Sequence, residues 1–268
     1  MDFIRSLFTV FGALINDTQF LTFFIIIVAI FANVIIRLTE RRPMRRIKAF
    51  DKVLLIAGAS VESNRSVHVS LGSTTIGDET TMVALMGSEF IYYMAREIAI
   101  GDAPPLFTVT EGATLALATD TLGRAYEQEG HPRGYNGLNI FSATPLSARW
   151  YPTGRRSLAF AAALMTMQAD DNLSGNVLLG RYGIELSLIL DAAHRHNMPS
   201  VAGSDHLDGQ AIAYAMADDA LIGEEILTAS GYLGDGYDLQ RRNFAIDLMR
   251  GLVVITIIVL AIYNLLGG

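Results

Sequence analysis

The sequence predicts an α/β protein: a parallel-sheet cytoplasmic domain flanked by an N-terminal and a C-terminal transmembrane helix. Three observations predict it. Two long charge-free apolar runs stand near the ends of the 268-residue chain. Between about 53 and 236 the hydrophobic period keeps switching between strand and helix. Clusters of basic residues border that middle segment on both sides. The balance of the chain agrees. It is 51% apolar with a mean hydropathy of +0.35, which excludes a disordered chain. It has no cysteine, which excludes a disulfide framework and a Cys-ligated metal site.

Residues 1–17 begin with FIRSLFTVFGALI at 3–15, too short to span a bilayer. Phe3, Leu7, Val10, Phe11 and Leu14 share one helical face, as in an amphipathic helix lying in the interface or packed between subunits. Residues 18–37 form the first predicted span. Its nineteen uncharged residues between Asp17 and Arg37 make roughly 28 Å of helix, close to the hydrocarbon thickness. The length of the run and the cations that follow it mark a retained anchor rather than a cleaved signal. The second predicted span, 251–268, has a shorter core, Leu252 to Leu266, and suits a nearly upright helix.

The linker at 38–52 is basic. Arg37, Arg41, Arg42, Arg45, Arg46, Lys48 and Lys52 stand against Glu40 and Asp51, a net of +5. The far flank carries Arg241, Arg242 and Arg250. The positive-inside rule then places the middle segment in the cytoplasm and both termini outside a cell membrane crossed twice. Arg41, Arg42, Arg45, Arg46 and Lys48 are read as topology determinants in contact with anionic lipid headgroups. The rest of the chain carries −12 against a total of −7, so no nucleic-acid partner is expected.

The domain at 53–240 is then read element by element. KVLLIAGAS within 51–64 suits either a further strand or a helix joining membrane to domain, with the helix preferred. VHVSLG at 67–72 is a buried strand, and 80–99 a helix with Met82, Met86, Phe90, Tyr93, Met94 and Ile98 on its inner face. Pro104 and Pro105 lead into a strand at 106–110. A helix at 111–129 turns Leu115, Ala118, Leu122, Ala125 and Tyr126 inward. The turn cluster GHPRGYNG precedes a strand at 138–143. An irregular stretch with Pro145, Trp150 and Pro152 follows, then an Ala- and Met-rich helix at 156–170, apolar enough to be buried all round. A strand at 176–181, a helix at 183–196 closed by Asn197, a strand at 199–203, and one or two helices over 208–231 with a break near Asp218 complete it. Five strands alternating with helices imply a parallel sheet covered on both faces through right-handed crossovers.

HVSLG at 68–72, AREIAIGDAPP at 95–105 and TLGRAYE at 121–127 resemble a family of prokaryotic membrane proteins defined only as a domain of unknown function, over most of 53–236. The resemblance implies an anchored, Rossmann-like α/β domain. It implies no activity and assigns no functional residue.

Ligands of open parallel sheets bind beyond the carboxyl ends of the strands. After the first strand comes Gly72-Ser73-Thr74-Thr75-Ile76-Gly77-Asp78-Glu79. It is not a Walker loop, because Asp78-Glu79 stand where Lys-Ser/Thr should follow the second glycine. Two carboxylates there repel phosphate and serve better as helix-terminal charges. The dinucleotide fingerprint is missing too, and neither Gly58 nor the glycines of 130–137 supply it. After the last strand, Asp205, His206 and Asp208 suit a divalent cation or acid–base work, or alternatively simple helix capping after Ser204. His194 and His196 lack the i, i+4 spacing of a helical metal pair, and His68 reads as a satisfied strand histidine. No H-E-x-x-H, G-x-S-x-G or supported S-x-x-K occurs. Trp150, Tyr151, Arg155 and Arg156, beside Arg149, form a candidate interface, since Trp, Tyr and Arg anchor interfaces.

The expected function is a non-enzymatic membrane-anchored scaffold that homo-oligomerises through its domain and its membrane helices. It needs no metal or cofactor. Its partners are a second copy, anionic lipids and, as a further candidate, another membrane protein. The alternative is a small-ligand sensor or enzyme that uses Ser73, Thr75, Asp205, His206 and Asp208 at the strand ends.

Overall fold

The computed structural model describes residues 46–130, 148–150, 158–170 and 172–233, with Gly251 and Val254. The chain divides into two compact units, Arg46–Asp235 and a unit made of Met1–Arg45 with Gly236–Gly268. Apart from Gly251 and Val254, which are helical, the described residues belong to the first. Among them no helix is long and apolar enough to cross a membrane. The interfacial segment 1–17, the span 18–37, the collar up to Arg45 and nearly all of 251–268 lie outside the described residues.

Helix α1 spans Lys48–Ser63, resolving the ambiguous 51–64 stretch in favour of helix. Asn64 ends it in the left-handed region at φ 50°, a conformation asparagine tolerates better than most residues. Strand β1 is Val67–Gly72, α2 Thr81–Ile98, β2 Leu106–Val109 and α3 Gly112–Gln128. Strand β3 is Ala148–Trp150 and α4 Leu158–Asp170. Strand β4 is Gly175–Arg181, α5 Leu186–Arg195, β5 Ser200–Ser204, α6 Leu207–Met216 and β6 Asp219–Leu221. A 3-10 turn, Gly223–Thr228, leads into α7, Ala229–Leu233.

All six strands are parallel, in the order β3-β2-β1-β4-β5-β6. This is the Rossmann order, with the reversal of winding between β1 and β4. The strand expected at 138–143 lies outside the described residues, while β3 pairs with β2 inside the stretch read as irregular. Strand β6 falls where helix was expected. The break does come at Asp218, whose carboxylate accepts from the Ser200 amide at 2.8 Å. That contact aligns Asp219 beside Val201. A three-residue strand shows no period of its own, so only its pairing reveals it.

The two faces of the sheet carry separate cores. Val67, Val69 and Leu71 of β1, with Val177 and Leu179 of β4, pack with residues of α1, α2, α3 and α7. Leu178 and Tyr182 pack on the other side with residues of α4, α5 and α6. The alternation is the period-2 pattern of strands covered on both sides. Two inward readings change. Met82 is exposed, because Val83 and Ala84 turn α2's buried face by about one residue. In α4, Ala162, Thr166 and Ala169 form an exposed stripe opposite Phe160, Leu164 and Met167. His68 is fully buried between Asn176 Oδ1 and Thr108 Oγ1. An amide oxygen only accepts, so Nδ1 donates to Asn176 Oδ1.

Candidate functional site: the switch point of the sheet

The place to inspect is the crevice beyond β1 and β4, where a Rossmann sheet receives its ligand. Two glycines bring these strands unusually close. Gly72 has φ +59°, and a Cβ there would lie 2.4 Å from the Arg181 carbonyl oxygen and 2.9 Å from the Tyr182 ring. A Cβ on Gly180 would lie 1.9 Å from the Leu71 carbonyl oxygen. The strand register slips between Ser70 and Gly72, which lets the two backbones meet at this point.

The loop after β1 occupies most of its own amide donors. Ser73 N–H donates to the Arg181 carbonyl at 3.0 Å, and its hydroxyl donates to the same oxygen at 3.1 Å. Thr74 N–H turns back to Leu71, and Thr75 N–H donates to the Thr80 hydroxyl at 2.8 Å. Gly77 N–H donates to the Thr81 hydroxyl at 2.9 Å. Thr80 N–H donates to Asp78 Oδ1 at 2.6 Å, and Thr81 N–H to the Asp78 carbonyl. In a nucleotide-binding sheet, amides at this turn point at phosphate. Here six of them are satisfied within the protein.

Across the crevice lies Arg181, the last residue of β4. Its Nε and one terminal nitrogen grip the Asp205 carboxylate at 2.8–3.2 Å, and its other terminal nitrogen reaches Glu79. The Asp205 pairing, and secondarily Glu79, raises the guanidinium's proton affinity further. Asp205 is well covered and Arg181 moderately so, whereas Glu79 is mostly exposed. The Asp205 arm therefore carries the energy, and the Glu79 arm is screened. Below Arg181 the Tyr182 ring is fully buried. Burial pushes its phenol well above the usual tyrosine range, so the hydroxyl stays neutral. Ser204 locks β5 to this layer, accepting from Tyr182 N–H at 3.1 Å and donating to the Tyr182 carbonyl at 2.9 Å.

The residues predicted to act together engage different partners. Ser73 and Asp205 meet only through Arg181. Thr75 faces Thr80. His206 stands at the N-cap of α6 with no side-chain cap bond. Its Nδ1 is 3.8 Å from Asp208, and both side chains are largely exposed. Among the described residues no three His, Asp or Glu side chains gather as metal ligands. Trp150 ends β3, while Tyr151, Arg155 and Arg156 lie outside the described residues. Of the collar, Arg46 is described and pairs with Asp51, Lys48 opens α1, and Arg41, Arg42 and Arg45 are outside. Arg181 and Tyr182 were not legible as site residues. The available signal was a charge closing an otherwise buried strand, Asn176 to Arg181, directly after a glycine.

Asp78 supplies a pH test of the loop. Hydrogen bonds from the Thr80 hydroxyl and amide hold its carboxyl below the usual carboxylate range. A carboxyl depressed in the folded state supports that state fully above its ordinary pKa and loses this support as pH falls through the depressed value. The Thr80 amide resonance is therefore expected to titrate with a midpoint below that of an ordinary aspartate, and to stay fixed in Asp78→Asn. A midpoint at or above the ordinary value contradicts the geometry.

Topology defines the class: a Rossmann-like α/β domain, in which Arg181 bridges Asp205 and Glu79 at the carboxyl edge of β4. The model of the family described as Domain of unknown function (DUF6754) matches residues 10–267, and the chain belongs to that family. No curated protein and no solved structure is detectably similar to it.

Proposed function

We propose that the protein is a non-catalytic, membrane-anchored scaffold in which the α/β domain binds a second copy of itself. The observation that carries this reading is the closed switch point. The amides, the arginine and the strand backbones that would receive a ligand are engaged with one another. The ligand-binding alternative would need Ser73, Thr75, Asp205, His206 and Asp208 to converge, and their contacts lead in different directions. Support for assembly comes from apolar side chains left on the surface. Ile184 and Leu207, which follow β4 and β5, are 68% and 78% exposed, and Tyr214 of α6 is 79% exposed. Large exposed apolar groups are characteristic of contact surfaces. The anchor and the cytoplasmic placement rest on the two charge-free runs and their basic flanks.

The test is the mass of the full chain in neutral detergent, measured by light scattering. A homo-oligomer is expected, and Leu207→Asp with Tyr214→Asp should shift it toward monomer while the domain stays folded. Monomer alone in the wild type would remove the assembly reading. In the same preparation, nucleotides and divalent cations should leave the melting temperature unchanged. A ligand at about a hundred times its Kd would add ~2.7 kcal/mol, so a saturable rise would favour a ligand site.

A further inference from the structure

At the opposite, amino-terminal edge of the sheet lies an open cleft of about 440 Å³, lined by Arg46, Lys48, Asp51, Lys52, Leu55 and Asp219. Arg46 and Asp51 neutralise each other, Nε to Oδ2 at 2.8 Å. Lys48 and Lys52 lie one helical turn apart on α1 and pair with no carboxylate among the described residues. Like charges at this spacing are unfavourable on a helix, so the pair is a local cost that an anion between the two ammonium groups would relieve. Leu55, one turn further, is 68% exposed beside Leu54. Asp219, at the start of β6, is half-buried on the cleft wall and pairs with no cation among the described residues.

We propose that this cleft binds the headgroup of an anionic phospholipid with a hydroxylated phosphodiester, of the phosphatidylglycerol kind. Among the described residues the lining carries three cations and two carboxylates, a net of +1, which suits a monoanionic phosphodiester rather than a dianionic free phosphate. Lys48 and Lys52 hold the phosphodiester oxygens, Asp219 accepts from a headgroup hydroxyl, and Leu54 and Leu55 meet the start of the acyl chains. Leu55 and Asp219 are not part of the collar's topology signal. The assignment rests on the anchored reading for its access to lipid, but not on self-assembly.

The test is native mass spectrometry of the full chain in nonionic detergent, titrated with phosphatidylglycerol, phosphatidylcholine and inorganic phosphate. The wild type is expected to hold one phosphatidylglycerol about tenfold more tightly than phosphatidylcholine, and more tightly than inorganic phosphate. Lys48→Gln with Lys52→Gln should lose about tenfold in that affinity, with circular dichroism unchanged. Arg41→Gln with Arg42→Gln should lose less than about twofold. Asp219→Asn should raise the affinity for inorganic phosphate and narrow the preference for the hydroxylated headgroup. Equal losses in the two double variants would assign binding to diffuse collar charge and overturn the cleft. Inorganic phosphate binding as tightly as the lipid in the wild type would overturn the headgroup. A monomeric wild type that still selects the lipid would sink the scaffold and leave the cleft standing.

Discussion

Gly180→Ala is expected to destabilise the α/β domain severely. The added methyl would lie 1.9 Å from the Leu71 carbonyl oxygen, 2.4 Å from its carbon and 2.9 Å from its Cα. All three are backbone atoms of the neighbouring central strand, so no side chain can rotate away. Relief requires β1 and β4 to part at the point where Gly72 pairs with Arg181 and Ser73 donates to the Arg181 carbonyl. Overpacking in cores commonly costs about 1–3 kcal/mol and more where nothing yields. A loss above ~3 kcal/mol is expected here, a large part of the about 5–15 kcal/mol that holds a domain together. Gly58→Ala is the control. Gly58 lies in α1, and a methyl added there would meet nothing within 4 Å, so alanine should stabilise the helix by ~0.5–1 kcal/mol. Urea denaturation followed by circular dichroism reads both. A Gly180→Ala protein as stable as wild type would mean that the two strands do not approach in this way.

Arg181→Met is expected to cost about 2 kcal/mol. Asp205 has only 15% of its side chain exposed and would lose its partner, while Glu79, 77% exposed, would turn to water. Breaking a fully buried pair costs about 3–5 kcal/mol. The 28% exposure of Arg181 lowers that figure through solvent screening. Glu79→Gln should cost under ~0.5 kcal/mol. Replacing both partners by apolar groups, Arg181→Met with Asp205→Leu, should recover part of the loss, because no uncompensated charge then remains. Denaturation curves of the four proteins decide it. If Glu79→Gln proved as costly as Arg181→Met, the energy would reside in the exposed arm and the division argued above would be wrong.

The candidate site was legible in its parts and illegible as a whole. The loop Gly72 to Glu79 and the segment Ser204 to Asp208 both stand out in the sequence, because glycines, hydroxyls and carboxylates follow buried strands. The expectation against a phosphate site was readable as well, from Asp78 and Glu79. What joins the two segments is Arg181, 102 residues from Glu79 and 24 from Asp205. No local pattern ties residues so far apart. The same distance hides the role of Gly180, which looks like any strand glycine until Leu71 lies beside it.

The sequence by itself determined where the main secondary elements lie. Six buried residues at 67–72, the inward faces repeated through 81–98 and 112–128, and the asparagines that close α1 and α5 act over a few neighbours, so local periodicity and backbone preference specify them. It also determined membership of its family, since the motifs that carry the resemblance are contiguous. The tertiary structure alone decided which strands are neighbours, the short β3 and β6, the direction of Met82, and the Arg181 bridge across the crevice. Each of these depends on contacts between segments distant in sequence. Two strands pair because their flanking helices and side chains leave one way to bury both faces. The chemistry at their ends follows from that pairing, and not from the residues of either strand read alone.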